Sequence, residues 1–364
     1  MMVIGKPPGN NVYGVHPFLM YQCQNPSKFG GLLFFNNNPM DIQILKSGSL
    51  YQIGIHTIHK YTRTHYHIDF RVNGGIIDLL FITPRPALDL IKRYHTLIGK
   101  PPLLPYWSFG FHLCRYGWPD EAALRGVVKN MTDNAIPLDT MWTDIEYMYK
   151  YRDFTLDLER YPNMTDFVNN ELHAKNMYFV PITDTGIGRG DYDIYNQALA
   201  SDLFIKSAET GEALVGMVWP GFSSFLDFNN PAAFDFWRDQ FEPFKEILPY
   251  DGMWIDMNEA ANFCTGECPD EAHYLRNTFN SKSYNRNLYI AGHRDLCDKG
   301  IAMDAYHGKD PDFFNTEYNW HSVYGHEIVK STHLALKKMR MRPFIITRST
   351  FVGTGMYFGW VTLK

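Results

Sequence analysis

Up to about residue 100 the apolar positions fall in short runs separated by turn-forming residues, a pattern that reads as mostly β. Stretches at Gly31 to Phe35, His65 to Val72 and Ile76 to Ile82 predict strands. Asn73-Gly74, between the last two, predicts a hairpin, because both central positions of a type I′ turn need positive φ. From Ala87 to Ile98 the period changes: Leu88, Ile91, Tyr94, Leu97 and Ile98 recur at helical spacing until Gly99 and Pro101-Pro102 end the run. A domain boundary is expected there, with residues 1–100 forming one unit and 101–364 a second.

Beyond Leu104 buried β runs alternate with helical segments, as expected for parallel βα units. Five strands are predicted, at Trp107 to Leu113, Leu138 to Ile145, Tyr178 to Thr183, Gly252 to Met257 and Pro343 to Thr347. Helices are expected over Glu121 to Asn134, over Asn163 to Asn176 with Phe167, Val168 and Leu172 facing inward, and over Ala233 to Ile247. The stretch from 184 to 232 is too long for a simple crossover and reads as an insertion. Asp144, Asp184 and Asp256 each fall at the carboxyl end of a predicted strand. One such Asp is readily a helix cap, but three at equivalent strand ends point to a shared site of the kind a β/α barrel presents.

Composition narrows the function classes. Of 364 residues 45% are hydrophobic and 20% charged, with a net charge of −5, so neither a disordered chain nor a nucleic-acid binder is expected. Aromatic residues make up 16%, enough to fill a core and still line a ligand pocket. No apolar run approaches the ~20 residues of a membrane span, and the opening Met1 to Pro8 lacks the charged and apolar regions of a signal peptide. Five cysteines, Cys23, Cys114, Cys264, Cys268 and Cys297, make no disulfide framework at this size, and none falls into a zinc-ligand pattern. His56, His59, His65 and His67 cluster on predicted β segments, but without an accompanying carboxylate or cysteine at ligand spacing they read as the polar face of a sheet. Neither metal nor cofactor is expected. Asn130 and Asn163 each begin an N-glycosylation sequon.

The densest chemistry lies in Trp254-Ile255-Asp256-Met257-Asn258-Glu259, which resembles the nucleophile signature of glycoside hydrolase family 31, in its acid α-glucosidase and intestinal maltase or sucrase branch. Tyr13 to Pro17, Asn38 to Asp41, Phe111 to Arg115, Trp142 to Met148 and Thr347 to Phe351 resemble further family blocks in the right order. The resemblance implies an α/β fold in which residues 1–100 are the end of an amino-terminal β-sandwich and 101–364 are part of a (β/α)8 barrel, about five of its eight units. It implies retaining hydrolysis of terminal α-linked glucose from oligosaccharides, glycogen or starch, with Asp256 as the nucleophile. Asp41, Asp144, Ile145, Trp219, Trp254, Met257, Phe263 and Arg348 match sugar-binding positions. Cys268 and Cys297 match a family disulfide, which leaves Cys264 as an extra thiol, and Asn130 matches a glycosylation site. A lysosomal or extracellular parent protein is implied.

The chain departs from the pattern in three places. Tyr116 stands where the family usually has Trp, and Ala260 where relatives commonly have Pro. The acid/base Asp, expected a few residues beyond the Arg348 block, is absent from Gly355 to Lys364, so the chain reads as an internal fragment that is inactive alone. A non-catalytic carbohydrate-binding protein is the alternative reading.

Overall fold

The computed structural model describes residues 13–47, 65–72, 74–268 and 296–361. The first strands are β1 (Phe18–Gln22), β2 (Phe29–Phe34), β3 (Met40–Ser47), β4 (His65–Val72) and β5 (Leu79–Arg85). β1, β2 and β5 form one antiparallel sheet, whereas β3 and β4 form a separate pair in which Met40 stands opposite Val72. The expected hairpin at Asn73-Gly74 is therefore not formed: the chain leaves β4, whose partner is β3, for β5, whose partner is β2. Asn73 itself lies outside the described residues, as do His56 and His59. Ile76 and Ile77, expected in the strand, are exposed ahead of it.

Helix α1 (Ala87–Ile98) begins after Pro86 and ends at Gly99, whose φ of 92° suits a residue without a Cβ. It buries Leu90 and Tyr94 rather than the full predicted stripe, and Leu88 and Leu97 remain exposed. Tyr94 stacks on Phe18 at 3.8 Å and packs in one cluster with Leu33, Phe351 and Val352. The amino-terminal sheet thus buries its face against the segment that follows the last full barrel strand.

The second unit begins with a 3-10 turn at Tyr106–Phe109, where a strand was expected, so β6 is only His112–Leu113. Pro105 supplies no N–H to a ladder, and the turn closes with Gly110 donating to Trp107. Next come α2 (Glu121–Asp133), capped by the Asp120 carboxylate on the Ala123 N–H, and β7 (Thr140–Thr143). α3 (Met164–Asp166) runs on through a wider turn to Leu172 and a last 3-10 turn ending at Asn176 in the left-handed region. Phe167, Val168 and Leu172 are fully buried, as their spacing predicts. β8 (Tyr178–Thr183) follows. The insertion holds β9 (Gly186–Gly188), α4 (Asp193–Ala200), β10 (Gly216–Val218) and β11 (Gly221–Phe225), the three strands pairing antiparallel in the order β10-β11-β9.

α5 (Pro231–Ile247), β12 (Met253–Ile255), α6 (Glu317–Trp320), α7 (Tyr324–Lys338), β13 (Ile345–Thr347) and β14 (Trp360–Val361) complete the unit. β14, β13, β12, β8, β7 and β6 form one parallel sheet in that order, so among the described residues it has six strands where five were predicted. The sheet curls. Phe344, just before β13, lies 4.8 Å from Trp107 and 5.6 Å from the His112 ring, joining the two sides of the sheet through aromatic contact. A cavity of about 340 Å³ inside the curl is lined by Phe109, His112, Trp142 and Ile346 among others. This is a partial (β/α)8 barrel, with α5 and α7 packed together through bonds such as Trp237 Nε1 to Thr332 Oγ1 at 2.9 Å.

One buried ionic chain fastens the insertion to the helices after β12. His307 sets Nδ1 2.7 Å from Asp227 Oδ1 and Nε2 3.1 Å from Glu317 Oε2, and Glu317 Oε1 meets His321 Nδ1 at 2.9 Å. A histidine with both ring nitrogens on carboxylates is best satisfied as imidazolium. Burial alone would lower its pKa, but the bonds to Asp227 and Glu317 overcome that and push it up to about 9. Because the folded value lies above the ordinary 6.5, the stabilisation is full below 6.5 and is lost as pH rises through about 9. Thermal unfolding is expected to show the melting temperature falling across that window. In His307→Gln the melting temperature should be lower at neutral pH and the fall should be flattened; an unchanged slope in the variant would contradict this assignment.

Candidate active site

Four adjacent strands, in the order β13, β12, β8 and β7, each end in a polar residue: Arg348, Asp256, Asp184 and Asp144. The register places Ile255 beside both Thr183 and Thr347, so Asp256 leaves the sheet between Asp184 and Arg348. All four are buried, with exposures of 7%, 1%, 3% and 5% in that order. Such a row at the carboxyl edge of a parallel sheet is where barrel enzymes place their reacting groups.

Arg348 organises the row. Its Nε donates to Glu259 Oε1 at 2.9 Å and its Nη2 to Glu259 Oε2 at 2.7 Å, a bidentate bond, while Nε also lies 3.4 Å from Asp256 Oδ1. The guanidinium sits over the Tyr13 ring at 4.7 Å. Burial works against its charge, but Glu259 first and Asp256 next outweigh it and hold its pKa above the ordinary value. Asn258 staples the same two strand ends: its amide donates to Thr347 Oγ1 at 2.7 Å and accepts from the Ser349 N–H at 2.7 Å. Gly325 of α7 passes so close that a Cβ there would lie 2.8 Å from Asn258 O. Between these anchors the backbone bends sharply, with Met257 at φ 57° and Ala260 at φ 63°. Proline, fixed near −65°, could not occupy position 260, so Ala260 marks a loop built differently from the pattern the resemblance implies.

Asp144 accepts from the Ile145 N–H at 2.9 Å, and Ile145 is buried beneath it. Asp184 donates its backbone N–H to Asp153 Oδ1 at 2.9 Å. Burial raises the pKa of Asp184 well above the usual carboxylate range, reinforced by Asp153, Asp256 and Asp144 and opposed by Arg348. Asp153 is pushed up as well, chiefly by burial.

The aromatic positions form two groups. Trp254, in β12, packs within 5.7 Å of Trp142 inside the curl. Trp219, on the turn between β10 and β11, meets Phe263 edge-on at 5.2 Å, and Tyr116 approaches it at 6.1 Å. Trp219 and Phe263 are 40% and 38% exposed, a rim rather than a core. Bonds from Met217 N to Asn262 Oδ1 at 2.9 Å and from Phe263 N to Met217 O at 2.8 Å tie that rim to the loop after Asp256. Asp41 lies in β3 opposite Arg71, but its side chain falls outside the described residues.

The expected cysteine pairing is corrected. Cys264 is bonded to Cys268, not Cys268 to Cys297. The tight loop, with Gly266 at φ 81°, brings Cα264 and Cα268 to 5.5 Å, within disulfide range, and a sulfur can make only one such bond. Cys297 is buried beside Met303 and Tyr318, and its carbonyl accepts from the Gly266 N–H. Asn130 and Asn163 are both exposed. Asn258 and Glu259 stand in the Trp254 to Glu259 block, but their roles, like that of Asp153, come from distant partners and were not assigned from the sequence.

The model of the glycosyl hydrolases family 31 TIM-barrel domain matches residues 101–361. The chain belongs to glycoside hydrolase family 31. It is 35% identical over 365 residues to lysosomal alpha-glucosidase of Bos taurus, covering 98% of this chain and 35% of that protein. Against an alpha-glucosidase of Hordeum vulgare the identity is 35% over 360 residues, 97% of this chain and 37% of that one. Alpha-xylosidase 1 of Arabidopsis thaliana is 33% identical over 374 residues, 95% and 38% of the two chains. The ER glucosidase II heterodimeric complex superposes with a TM-score of 0.77 at 23% identity, over 96% of this chain and 34% of that one, which establishes the shared fold. The chain spans about a third of the length of these relatives.

Glu259→Gln removes one partner of a buried ion pair and leaves the Arg348 charge uncompensated except by Asp256. A loss of about 3 to 5 kcal/mol in unfolding free energy is expected, measured by urea denaturation. A change within the scatter of an exposed surface substitution would show that Arg348 is not anchored as described.

Proposed function

We propose that these residues form the glucose-binding and nucleophile-bearing part of an α-glucosidase site. The observation that carries this reading is Asp256, delivered by β12 between neighbouring strand ends and lying 3.4 Å from the Arg348 guanidinium. A carboxylate so placed is suited to attack an anomeric carbon. The product is a covalent glucosyl ester, with the aglycone oxygen leaving as it takes a proton from a second carboxylic acid. Asp144, Asp41 and Arg348 bind hydroxyls of the terminal glucose, Ile145, Trp254 and Met257 line its ring, and Trp219 with Phe263 forms the outer wall. Terminal α-linked glucose on oligosaccharides, glycogen or starch is the substrate. The resemblance finds no acid/base Asp within the 364 residues, so this chain by itself is expected not to turn over maltose.

A lysosomal or extracellular setting is supported by relatives named as lysosomal. The Cys264–Cys268 disulfide and the exposed sequon asparagines suit an oxidising secretory route. Expression in a secretory eukaryotic host is expected to give a chain whose mass falls on treatment with peptide N-glycosidase, with Asn130→Gln and Asn163→Gln each removing one glycan.

The decisive experiment uses α-glucosyl fluoride, whose leaving group needs little protonation. Mass spectrometry is expected to find one added glucosyl group on the peptide containing Asp256, and none in Asp256→Asn. A folded chain that binds a glucose-mimicking iminosugar but is never labelled would favour carbohydrate binding without catalysis.

A further inference from the structure

Asp184 is the one residue of the strand-end row whose two carboxylate oxygens both lack a hydrogen-bond partner while buried, and its exposure is 3%. Its own backbone N–H is spent on Asp153. The charges that reach it come from every neighbouring element: Asp153 and Asp144 after β7, Asp256 after β12 and Arg348 after β13, with the buried Tyr147 hydroxyl nearby. Arg348, the cation among them, already gives two hydrogen bonds to Glu259 and turns Nη2 also toward Met257 Sδ at 3.3 Å. An ionised Asp184 would therefore be a buried anion with no donor, surrounded by other carboxylates, an arrangement penalised by several kcal/mol.

We propose that Asp184 is held as a neutral carboxylic acid and that its O–H is a hydrogen-bond donor in the sugar pocket, aimed at a hydroxyl oxygen of the bound glycone. Protonation converts an uncompensated anion into a group with one donor and an acceptor, and it removes a buried charge from beside Asp256 and Asp144. Keeping a carboxylic acid neutral so that it can donate is a known use of such an environment. Asp184 is thus a binding and positioning residue whose preferred partner is a pyranose bearing a hydroxyl at that point, and a ligand lacking it would leave the buried donor unpaired. The identity of the ligand rests on the α-glucosidase reading; the protonation state does not.

Two measurements on the full chain test this separately. Infrared difference spectra between the wild type and Asp184→Asn at neutral pH are expected to show loss of the carbonyl band of a protonated carboxylic acid, with Asp153→Asn as the companion spectrum that assigns it. Loss of carboxylate bands instead would overturn the proposal. Calorimetry with maltose is expected to find Asp184→Asn, which keeps an N–H donor, within about threefold of the wild type. Asp184→Leu, which keeps none, should bind at least about tenfold more weakly, near 1.4 kcal/mol. Equal binding by the Leu variant, or equal damage by Asn and Leu, would overturn the donor role. If Asp184→Leu does not fold, the Asn variant and the carbonyl band still decide. If the wild type binds no maltose, the α-glucosidase reading fails while the infrared result continues to test the acid.

Discussion

The bidentate bond between Arg348 and Glu259 is the constraint on which the site depends. It joins the end of β13 to the loop beyond β12, and it places the guanidinium where it also faces Asp256. Two charges at this depth are tolerable only as a well-made pair with their remaining hydrogen-bonding capacity satisfied. Asn258 supplies a second, uncharged staple between the same strands. Together they hold Met257 and Ala260 at positive φ, conformations that persist in non-glycine residues when the surroundings over-determine them.

This arrangement divides the carboxylates. Asp256 and Glu259 share the guanidinium, Asp144 has a backbone N–H, and Asp153 and Asp184 have burial without a cation of their own. For the last two, burial drives the carboxyl pKa well above the usual range. The amino-terminal unit contributes to the same place. Val15 N donates to Thr350 O at 3.0 Å, His16 Nε2 lies 2.8 Å from Thr350 Oγ1, and Tyr13 lies under Arg348. Burial lowers the His16 pKa to about 4, so this contact adds no second cation to the row at neutral pH.

The elements that pack by period were legible in the sequence. The Phe167, Val168 and Leu172 stripe, the strand at Tyr178–Thr183 and the helix now ending at Ile247 all follow from local pattern, and so does the presence of an Asp at three strand ends. What failed was pairing between distant segments. Asn73-Gly74 has strong hairpin chemistry, yet the sheets to which β4 and β5 belong are chosen by partners 18 or more positions away, β3 and β2. The cysteine pairing failed for a related reason: which of three nearby sulfurs bond is settled by a loop turn at Gly266 that no hydrophobic pattern encodes. The roles of Glu259 and Asp153 were not legible because a buried carboxylate becomes significant only through the partner it meets, and those partners lie 89 and 31 positions along the chain.

The division between strand ends and loops then sets where this chain can differ from its relatives. The acidic row is fixed by register, since moving Asp256 or Asp184 by one residue would turn its side chain to the other face of the sheet. The outer wall has no such constraint: Trp219 rides on a two-residue turn, Phe263 on the loop after Asp256, and Cys264, next to Phe263, is drawn back toward Cys268. That loop also contains Ala260, at a backbone angle that the proline of the family pattern cannot adopt. Changes in its path beyond Ala260 therefore move Phe263 against Trp219. Functional groups fixed on strand ends, with variation left to the loops, is the general arrangement of barrel enzymes.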